Sequence, residues 1–534
     1  MKRVLLLGDE AIAQAALDAG LSGMYAYPGT PSTEIMEFIQ SSKEGSDRSV
    51  HREWSSNEKT AMEAALGMSY AGKRAMVAMK HVGLNVAADG FINSAITGVN
   101  GGLIVVSADD PSMHSSQNEQ DSRFYGKFAM VPCFEPSNQQ EAYDMVFDAF
   151  EVSEKYKLPV LFRITTRMAH SRASINLRAA LQQKKLILPA DPLQFVLLPA
   201  IARKKYKLLL SSYESLRYEN LISKYNFFKD GNKRDLGIIA CGISYNYFLE
   251  NIGESANDLP VLKISAYPFP KELIKEITGR CKAILILEEG APVLEEAIRG
   301  ILDDGIKIYG RLDGTVPRDG ELNPAIVAKA LGLPVKYGHD VPSLVKTRPP
   351  SFCNGCGHAD MFNSLNEAIK QYGPGHVFSD IGCYTLGALP PYKAINSCVD
   401  MGASVTMAIG ASDAGLFPSV AVIGDSTFTH SGMTGLLDAV VKNSSVTIII
   451  SDNSTTGMTG GQKSQATGRL EQICEGIGVS CEHIRVITPL RKNNAENVHI
   501  LKEEFEYKGV SVVIASRECI QTAAKRKRSE NSNE

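Results

Sequence analysis

The stretch Val422-Ile423-Gly424-Asp425-Ser426, read with Asp452-Asn453 further along, decides the fold. Each is the end of an apolar, β-rich run, and a helix is predicted between them over Thr434 to Asn443. Strand, helix and strand make a βαβ unit whose two strand ends lie side by side. A carboxylate, Asp425, then stands beyond one strand and a side-chain amide, Asn453, beyond the next, close to Gly424, Ser426 and a helix N-terminus. Oxygen ligands in that setting suit a hard divalent cation that holds a diphosphate. Taken alone, Gly-Asp-Ser is a plain strand-to-helix turn. The spaced Asp452-Asn453, and the polar turn Ser454-Thr455-Thr456-Gly457, whose backbone can add a carbonyl ligand, favour thiamine diphosphate with Mg²⁺.

The bulk composition is consistent with a large enzyme. At 534 residues, and about 150 residues per domain, the chain has length for roughly three or four domains. A hydrophobic fraction of 44% provides ordinary globular cores. A net charge of −3 gives no reason to expect nucleic acid or an anionic membrane as partner. No apolar run is long enough to span a bilayer, and Met1-Lys2-Arg3 leads straight into a strand-like VLLLG rather than a signal peptide. The expectation is a soluble, cytoplasmic protein. Ten cysteines are too dilute for a disulfide framework, and one close spacing, Cys353-Asn354-Gly355-Cys356, points to metal or redox chemistry.

Alternating strand-like and helical stretches predict an α/β protein built from three blocks, with open parallel sheets in the first and third. Residues 1–180 form the first block, with strands at Val4–Leu7, Ala75–Met79, Leu103–Ser107 and Val160–Ile164. Its helices are expected at Pro31–Gln40, Asn57–Ala71 and Gln140–Lys157, the first capped by Thr30 with Pro31 at its opening position. Residues 181–234, rich in Tyr and Lys, read as a connecting segment. A second block, 235–335, has strands at Leu236–Ala240, Val261–Ile264 and Ala283–Leu287. A proline-bearing linker covers 336–350, the third block 351–520, and a disordered tail with Lys525-Arg526-Lys527-Arg528 covers 521–534.

Four further motifs carry chemistry. Ser55-Ser56-Asn57-Glu58 reads locally as a capping box, with Glu58 bonding back to the Ser55 amide. Its functional reading is the carboxylate that thiamine diphosphate requires against its aminopyrimidine ring. Glu63, the rival, lies further into the helix. Cys353, Cys356 and Cys383, each near glycine, suit an iron–sulfur cluster, with a zinc knuckle, a dithiol and buried free thiols as alternatives. A cluster needs a fourth ligand from among Cys398, Cys474, Cys481 and Cys519. Thr30, in Tyr27-Pro28-Gly29-Thr30-Pro31, could offer its hydroxyl to a substrate carboxylate at a helix N-terminus. His81, after a predicted strand, could line a ligand cleft or be structural.

Taken in order, these motifs resemble the 2-oxoacid:ferredoxin oxidoreductase superfamily and, within it, the alpha subunits of indolepyruvate:ferredoxin oxidoreductase. The matching stretches are YPGTPSTEI (27–35), KHVGLNVAADG (80–90), LEEGAPVLEE (287–296), CNGCGH (353–358), DIGCYTLGALPP (380–391), MGASVTMAIG (401–410), GDSTFTHSGMTGL (424–436) and DNSTTGMTGGQ (452–462). The resemblance implies a pyrimidine-binding first block, a transketolase C-terminal-like second block and a diphosphate-binding third. It implies Asp425, Asn453 and the Thr455 carbonyl as Mg²⁺ ligands, with Gly424 and Ser426 beside the diphosphate. It gives Glu58 to the aminopyrimidine, Thr30 to the oxoacid, and Cys353, Cys356 and Cys383 to a [4Fe-4S] cluster; Cys519 is taken as the fourth ligand by its position, and His81 as a further residue for the oxoacid from its place after a strand. The implied reaction is oxidative decarboxylation of an arylpyruvate such as indolepyruvate, with coenzyme A taking the acyl group and a beta subunit as partner. The pyrimidine and diphosphate halves of such sites commonly meet at an interface. Alpha subunits of this family usually end in a ferredoxin-like domain with two C-x-x-C-x-x-C-x-x-x-C runs, which this sequence lacks. Electrons are therefore expected to leave through the proximal cluster to a separate ferredoxin or a different acceptor. Two other readings stand beside this one: a non-oxidative thiamine-dependent decarboxylase, and a non-catalytic cofactor-bound scaffold.

Overall fold

A computed structural model of the chain describes residues 3–189, 191, 193–253, 258–299, 306–335, 338, 340–346 and 350–532. The chain divides into two units, Met1–Asp340 and Val341–Glu534. The division falls within the stretch 336–350 read as a linker, part of which lies outside the described residues.

In the first unit, the central strands Gly23–Ala26, Ala75–Lys80, Leu103–Asp109 and Val160–Thr165 are buried on both faces, as parallel sheets demand. The strands are β1 (Arg3–Leu7), β2 (Gly23–Ala26), β3 (His51–Trp54), β4 (Ala75–Lys80), β5 (Leu103–Asp109), β6 (Cys133–Phe134), β7 (Val160–Thr165) and β8 (Arg172–Asn176). They are followed by β9 (Phe227–Lys229), β10 (Gly237–Cys241), β11 (Val261–Ile264), β12 (Ala266–Tyr267), β13 (Ala283–Leu287) and β14 (Lys307–Tyr309). The main sheet runs β12-β6-β7-β5-β4-β2-β3 and is parallel except where β12 meets β6. From β2 the chain moves to one side for β3 and to the other for β4. Such a reversal opens a crevice at the carboxyl ends of the strands, where α/β proteins bind ligands. β1 lies outside this sheet, in an antiparallel ribbon with β8.

A second sheet, β14-β13-β10-β11-β9, covers the block beyond residue 235. It is not independent of the first, because β12 extends the first sheet and one apolar core runs through both. A buried charge network joins them as well. Arg163, fully buried, bonds Asp109 through Nε at 2.6 Å, Glu135 through Nη1 and the Glu289 carbonyl through Nη2 at 2.9 Å. Arg123 bonds Asp121 at 2.6 Å and Glu288 at 3.0 Å. The LEEGAPVLEE motif thus meets the first block through its acidic residues and backbone. Removing one member leaves charges buried and unpaired, so Arg163→Met is expected to lower stability by about 3–5 kcal/mol, read as a lower midpoint in denaturant unfolding.

The segment 181–234 is more ordered than its composition suggested. It forms a helix, Pro199–Leu221, that buries Leu209 and Leu216, and then β9, an edge strand of the second sheet. The helix lies against His81–Thr97, with Lys205 Nζ donating to the Thr97 carbonyl at 2.8 Å. Its apolar stripe is only two residues seven apart, too sparse to register as a periodic signal.

The second unit has one five-stranded parallel sheet, β15-β16-β17-β21-β20. Its strands are β15 (Val377–Ser379), β16 (Ser419–Gly424), β17 (Val446–Asp452), β20 (Ile484–Ile487) and β21 (Val510–Ser516), with a small ribbon of β18 (Thr455–Thr456) and β19 (Gln462–Lys463) beside it. β16 and β17 pair in register from Ser419 with Val446 to Gly424 with Ser451, so Asp425 and Asp452-Asn453 emerge together at one edge. The expected helix runs Met433–Lys442. The tail expected to be disordered is helical over Ile520–Ser532. Its first turns are tied down: Ala523 N donates to the Cys519 carbonyl at 3.0 Å and Lys525 Nζ to the Gly460 carbonyl at 2.9 Å. The basic residues that suggested disorder are all exposed on that helix.

Candidate functional site

Within the first unit, the ends of β2, β3 and β4 bring together the candidate substrate and pyrimidine residues. After β3 the chain enters the helix Glu58–Tyr70 through Asn57. Asn57, not Ser55, caps it: Asn57 Oδ1 accepts from Thr60 N at 2.8 Å, and Asn57 N donates to Thr60 Oγ1 at 3.3 Å. This box satisfies the orphan amides locally, so the expected Ser55–Glu58 box is replaced and Glu58 opens the helix as a buried carboxylate. Gly83, on the helix His81–Thr97, faces it so closely that a Cβ there would lie 2.6 Å from Glu58 Cγ and Oε1. Glu63 is exposed and ion-paired with Lys59 at 2.5 Å, which removes it as a rival.

Gly83→Ala is therefore expected to displace Glu58 while leaving the fold intact, since alanine suits a helix better than glycine. A shift of about 1 Å in a reacting group costs roughly 10²-fold. The measurement is anaerobic 2-oxoacid turnover, with thiamine diphosphate affinity retained.

Thr30 does not cap the next helix, which begins at Thr33. The Tyr27–Ser32 loop closes on itself instead, with Gly29 N donating to Thr33 Oγ1 at 3.1 Å and Ser32 Oγ to the Gly29 carbonyl at 2.8 Å. Thr30 stays half-buried, its carbonyl receiving the Ser115 hydroxyl at 3.4 Å. Lys80 ends β4 against this loop, where a Cβ on Gly29 would sit 3.1 Å from Lys80 Cβ. Its Nζ donates to the Ser115 carbonyl at 2.8 Å and stands 4.0 Å from Asp110. Burial lowers Lys80 to about 8, opposed by the Asp110 charge. His81 is buried, with Nε2 3.3 Å from Asn118 Oδ1. Lys80, Asp110, Ser115 and Asn118, which the sequence reading did not single out, stand beside Thr30 and His81. Lys80 stood in view beside His81, but only the strand register shows that it meets the Thr30 loop.

In the second unit, Asp425 opens a short helical turn at the end of β16 and is buried. Its Oδ2 has no hydrogen-bond partner among the described residues. Burial pushes its carboxyl up to about 7, the Ser464 hydroxyl opposes this, and the charge of Asp452 adds to it. A buried carboxylate oxygen with no donor suits a cation better than water or amide. Asn453 follows β17; its Oδ1 accepts from Thr455 N at 3.1 Å. Ser426 Oγ bonds Thr456 Oγ1 at 2.7 Å, joining the two turns. The ring of Tyr384 separates Gly382 from Gly424, and a Cβ on either would enter it, at 2.3 and 2.6 Å. The Tyr384 hydroxyl bonds Asp380, a buried carboxyl that also accepts from Ser404 Oγ at 2.6 Å and Gly402 N at 3.1 Å. These contacts set the Cys383 turn against the Asp425 turn.

Cys353, Cys356, Cys383 and Cys519 line one cavity of about 270 Å³, with Asp452 and Asn453 also in its wall. Cys356 caps the helix Gly357–Ile369, and its Sγ lies 3.2 Å from His358 Nδ1. Cys383 opens a 3₁₀ turn, and its thiol is pushed up to about 12 by burial and then by the neighbouring Cys356, Cys519 and Cys353. A Cβ on Gly457 would lie 3.1 Å from Cys383 Sγ, so the glycine leaves room for the sulfur. Cys519 arrives after β21, its amide donating to the Asn453 carbonyl at 3.1 Å. No three of these thiols lie within 4.8 Å of one another. Zinc in a tetrahedral thiolate knuckle needs sulfurs about 3.8 Å apart. Cys398, Cys474 and Cys481 do not line the cavity.

Residues 14–203 match the family described as pyruvate flavodoxin/ferredoxin oxidoreductase, thiamine diP-binding, and 380–515 match thiamine pyrophosphate enzyme, C-terminal TPP binding domain. Fold and site define a thiamine-diphosphate-dependent 2-oxoacid oxidoreductase, which catalyses oxidative decarboxylation. The chain is 40% identical to the indolepyruvate oxidoreductase subunit IorA of Archaeoglobus fulgidus, over 97% of this chain and 86% of that protein. It is 39% identical to the Pyrococcus abyssi protein of the same name, with the same coverage. The chain belongs to this indolepyruvate oxidoreductase subunit family. A solved 2-oxoglutarate:ferredoxin oxidoreductase from Magnetococcus marinus, with 2-oxoglutarate, coenzyme A and succinyl-CoA bound, shares the fold at a TM-score of 0.52 and 16% identity, over 62% of this chain and 65% of that one. Among the described residues no helix is long and apolar enough to cross a membrane.

Proposed function

We propose that this chain is the thiamine-bearing subunit of a cytoplasmic arylpyruvate:ferredoxin oxidoreductase. It converts an arylpyruvate of the indolepyruvate type, with coenzyme A, into an aryl-acetyl-CoA and CO₂. Two electrons pass one at a time to ferredoxin or a similar carrier, and a beta subunit completes the enzyme. The observation that carries this reading is the cavity lined by Cys353, Cys356, Cys383 and Cys519 beside Asn453. Four cysteines lining one cavity beside Asn453 supply the ligand count that a [4Fe-4S] cluster requires. A non-oxidative decarboxylase has no use for four thiols beside its cofactor, and a scaffold has no use for a buried Glu58 faced by glycine.

Asp425 Oδ2, Asn453 Oδ1 and the Thr455 carbonyl would hold Mg²⁺, with Gly424 and Ser426 beside the diphosphate. Bound thiamine diphosphate supplies the electron sink that makes loss of CO₂ from a 2-oxoacid possible. Glu58 would stand at the aminopyrimidine, where its carboxylate could exchange a proton with the ring. Thr30 and His81, at the crevice by β2 and β4, orient the oxoacid.

The test is anaerobic co-expression with the beta subunit, followed by iron and sulfide analysis, EPR after reduction, and turnover with several arylpyruvates. About four irons per chain are expected, falling to a minor fraction in Cys519→Ser and unchanged in Cys398→Ser. Iron-free protein that still releases aldehyde from an arylpyruvate would replace this reading with the decarboxylase.

A further inference from the structure

Three side chains from three separate helices meet in the first unit. Asp9 lies in the first turn of Gly8–Asp18, Glu34 in the first turn of Thr33–Ser41, and His170 at the end of Thr166–His170. One ligand atom from each lies within 4.8 Å of the other two, and His170 Nε2 stands 3.6 Å from Glu34 Oε2. Asp9 is fully buried, yet neither of its carboxylate oxygens has a hydrogen-bond partner among the described residues. The charges acting on it, from Glu34 and Glu10, share its own sign and raise its pKa further. Glu34, only partly buried, turns Oε2 toward His170, and that contact holds its carboxyl below the usual range. A buried carboxylate that lacks donors costs several kcal/mol unless a cation or a proton meets it.

Backbone contacts hold the arrangement. Gly8 N donates to the Ser171 carbonyl at 3.2 Å, and a Cβ on Gly8 would strike the Met168 carbonyl at 1.9 Å, so the Asp9 and His170 helices touch through backbone. The Glu34 helix is set by the Tyr27–Ser32 loop and its bonds to Thr33 and Ser32.

We propose that Asp9, Glu34 and His170 form a binding site for a divalent cation of the zinc class, bracing the Thr30 loop against the helices at Asp9 and His170. One imidazole and two carboxylates match the borderline ligand preference of zinc. Around a tetrahedral ion the ligand atoms stand about 3.4 Å apart, a distance reached from 4.8 Å by side-chain rotation. A water takes the fourth position. The occupant that competes is a proton shared between Asp9 and the Glu34–His170 pair.

The whole chain, stripped with chelator and dialysed against Zn²⁺ alone, is expected to retain about one zinc more per chain than Asp9→Asn or His170→Gln. Loss of a ligand should weaken binding by at least the roughly 10- to 100-fold that loss of a second-shell partner costs. Co²⁺ at the site should give d–d bands with no thiolate charge transfer, absent in both variants, which separates it from the cysteines. Equal zinc and identical cobalt spectra in all three proteins would overturn the proposal and leave a proton in the site. Should either variant fail to fold, zinc titration of the wild-type chain decides. A rise in Tm that saturates near one equivalent per site supports the proposal, and no rise overturns it.

Discussion

Glu58→Gln is expected to lower anaerobic 2-oxoacid turnover by about 10²–10⁴-fold, the usual contribution of a positioned acid–base group. Affinity for thiamine diphosphate should stay near wild type, because an amide keeps the shape and burial of the carboxylate. The expectation rests on geometry: Asn57 and Thr60 satisfy the helix end between them, so Glu58 is not needed as its cap. Stability should change little for the same reason. Steady-state turnover with an artificial electron acceptor, beside calorimetric titration of the cofactor, reads both quantities. If turnover survives the substitution, Glu58 holds no catalytic proton. If turnover and cofactor affinity fall together, its role is binding.

The second large effect is expected at Asp425. Asp425→Ala removes the buried oxygen that has no hydrogen-bond partner among the described residues, the charged ligand proposed for the cation. Breaking a buried charge pair costs about 3–5 kcal/mol, which corresponds to roughly 10²–10⁴-fold in cofactor affinity. Without the cofactor, Asp425→Ala is expected to be no less stable than the wild-type chain. It takes away a carboxyl that burial has pushed up to about 7. A Tm raised by Mg²⁺ and thiamine diphosphate in the wild type, and unmoved by them in Asp425→Ala, is the expected pattern. An equal rise in both would place the cation elsewhere.

Much of this was legible in the residues. The apolar runs before Gly424 and Asp452 could only be adjacent buried strands, and the register of β16 with β17 puts Asp425 beside Asn453. Cys519 was taken as the fourth ligand by its position in the chain, and it shares a cavity with the other three cysteines. The misreadings have local causes. Ser55-x-x-Glu58 has the form of a capping box, but Asn57 two residues on is an equally good cap and wins because β3 runs to Trp54. Thr30-Pro31 has the form of a helix start, but the Gly29 amide finds Thr33 Oγ1 and the helix opens later. Lys525-Arg526-Lys527-Arg528 has the composition of a disordered end, and nothing local shows that a helix begins beside Cys519.

What the sequence determined by itself is the chemistry: an acid and an amide at strand ends, an acid before a helix, three thiols near glycines and a fourth further on. Residue types and their spacing within one strand–turn–helix unit are local properties, and local properties survive in a linear reading. What the tertiary structure decided is which groups face one another across elements far apart in the chain. Gly83 against Glu58, Tyr384 between Gly382 and Gly424, and Asp9 with Glu34 and His170 are such contacts. Strand order and helix packing create them, and no periodicity in the chain records them. The pair that opened the sequence therefore identified the cofactor, while packing determined which carboxylates remain buried without a donor.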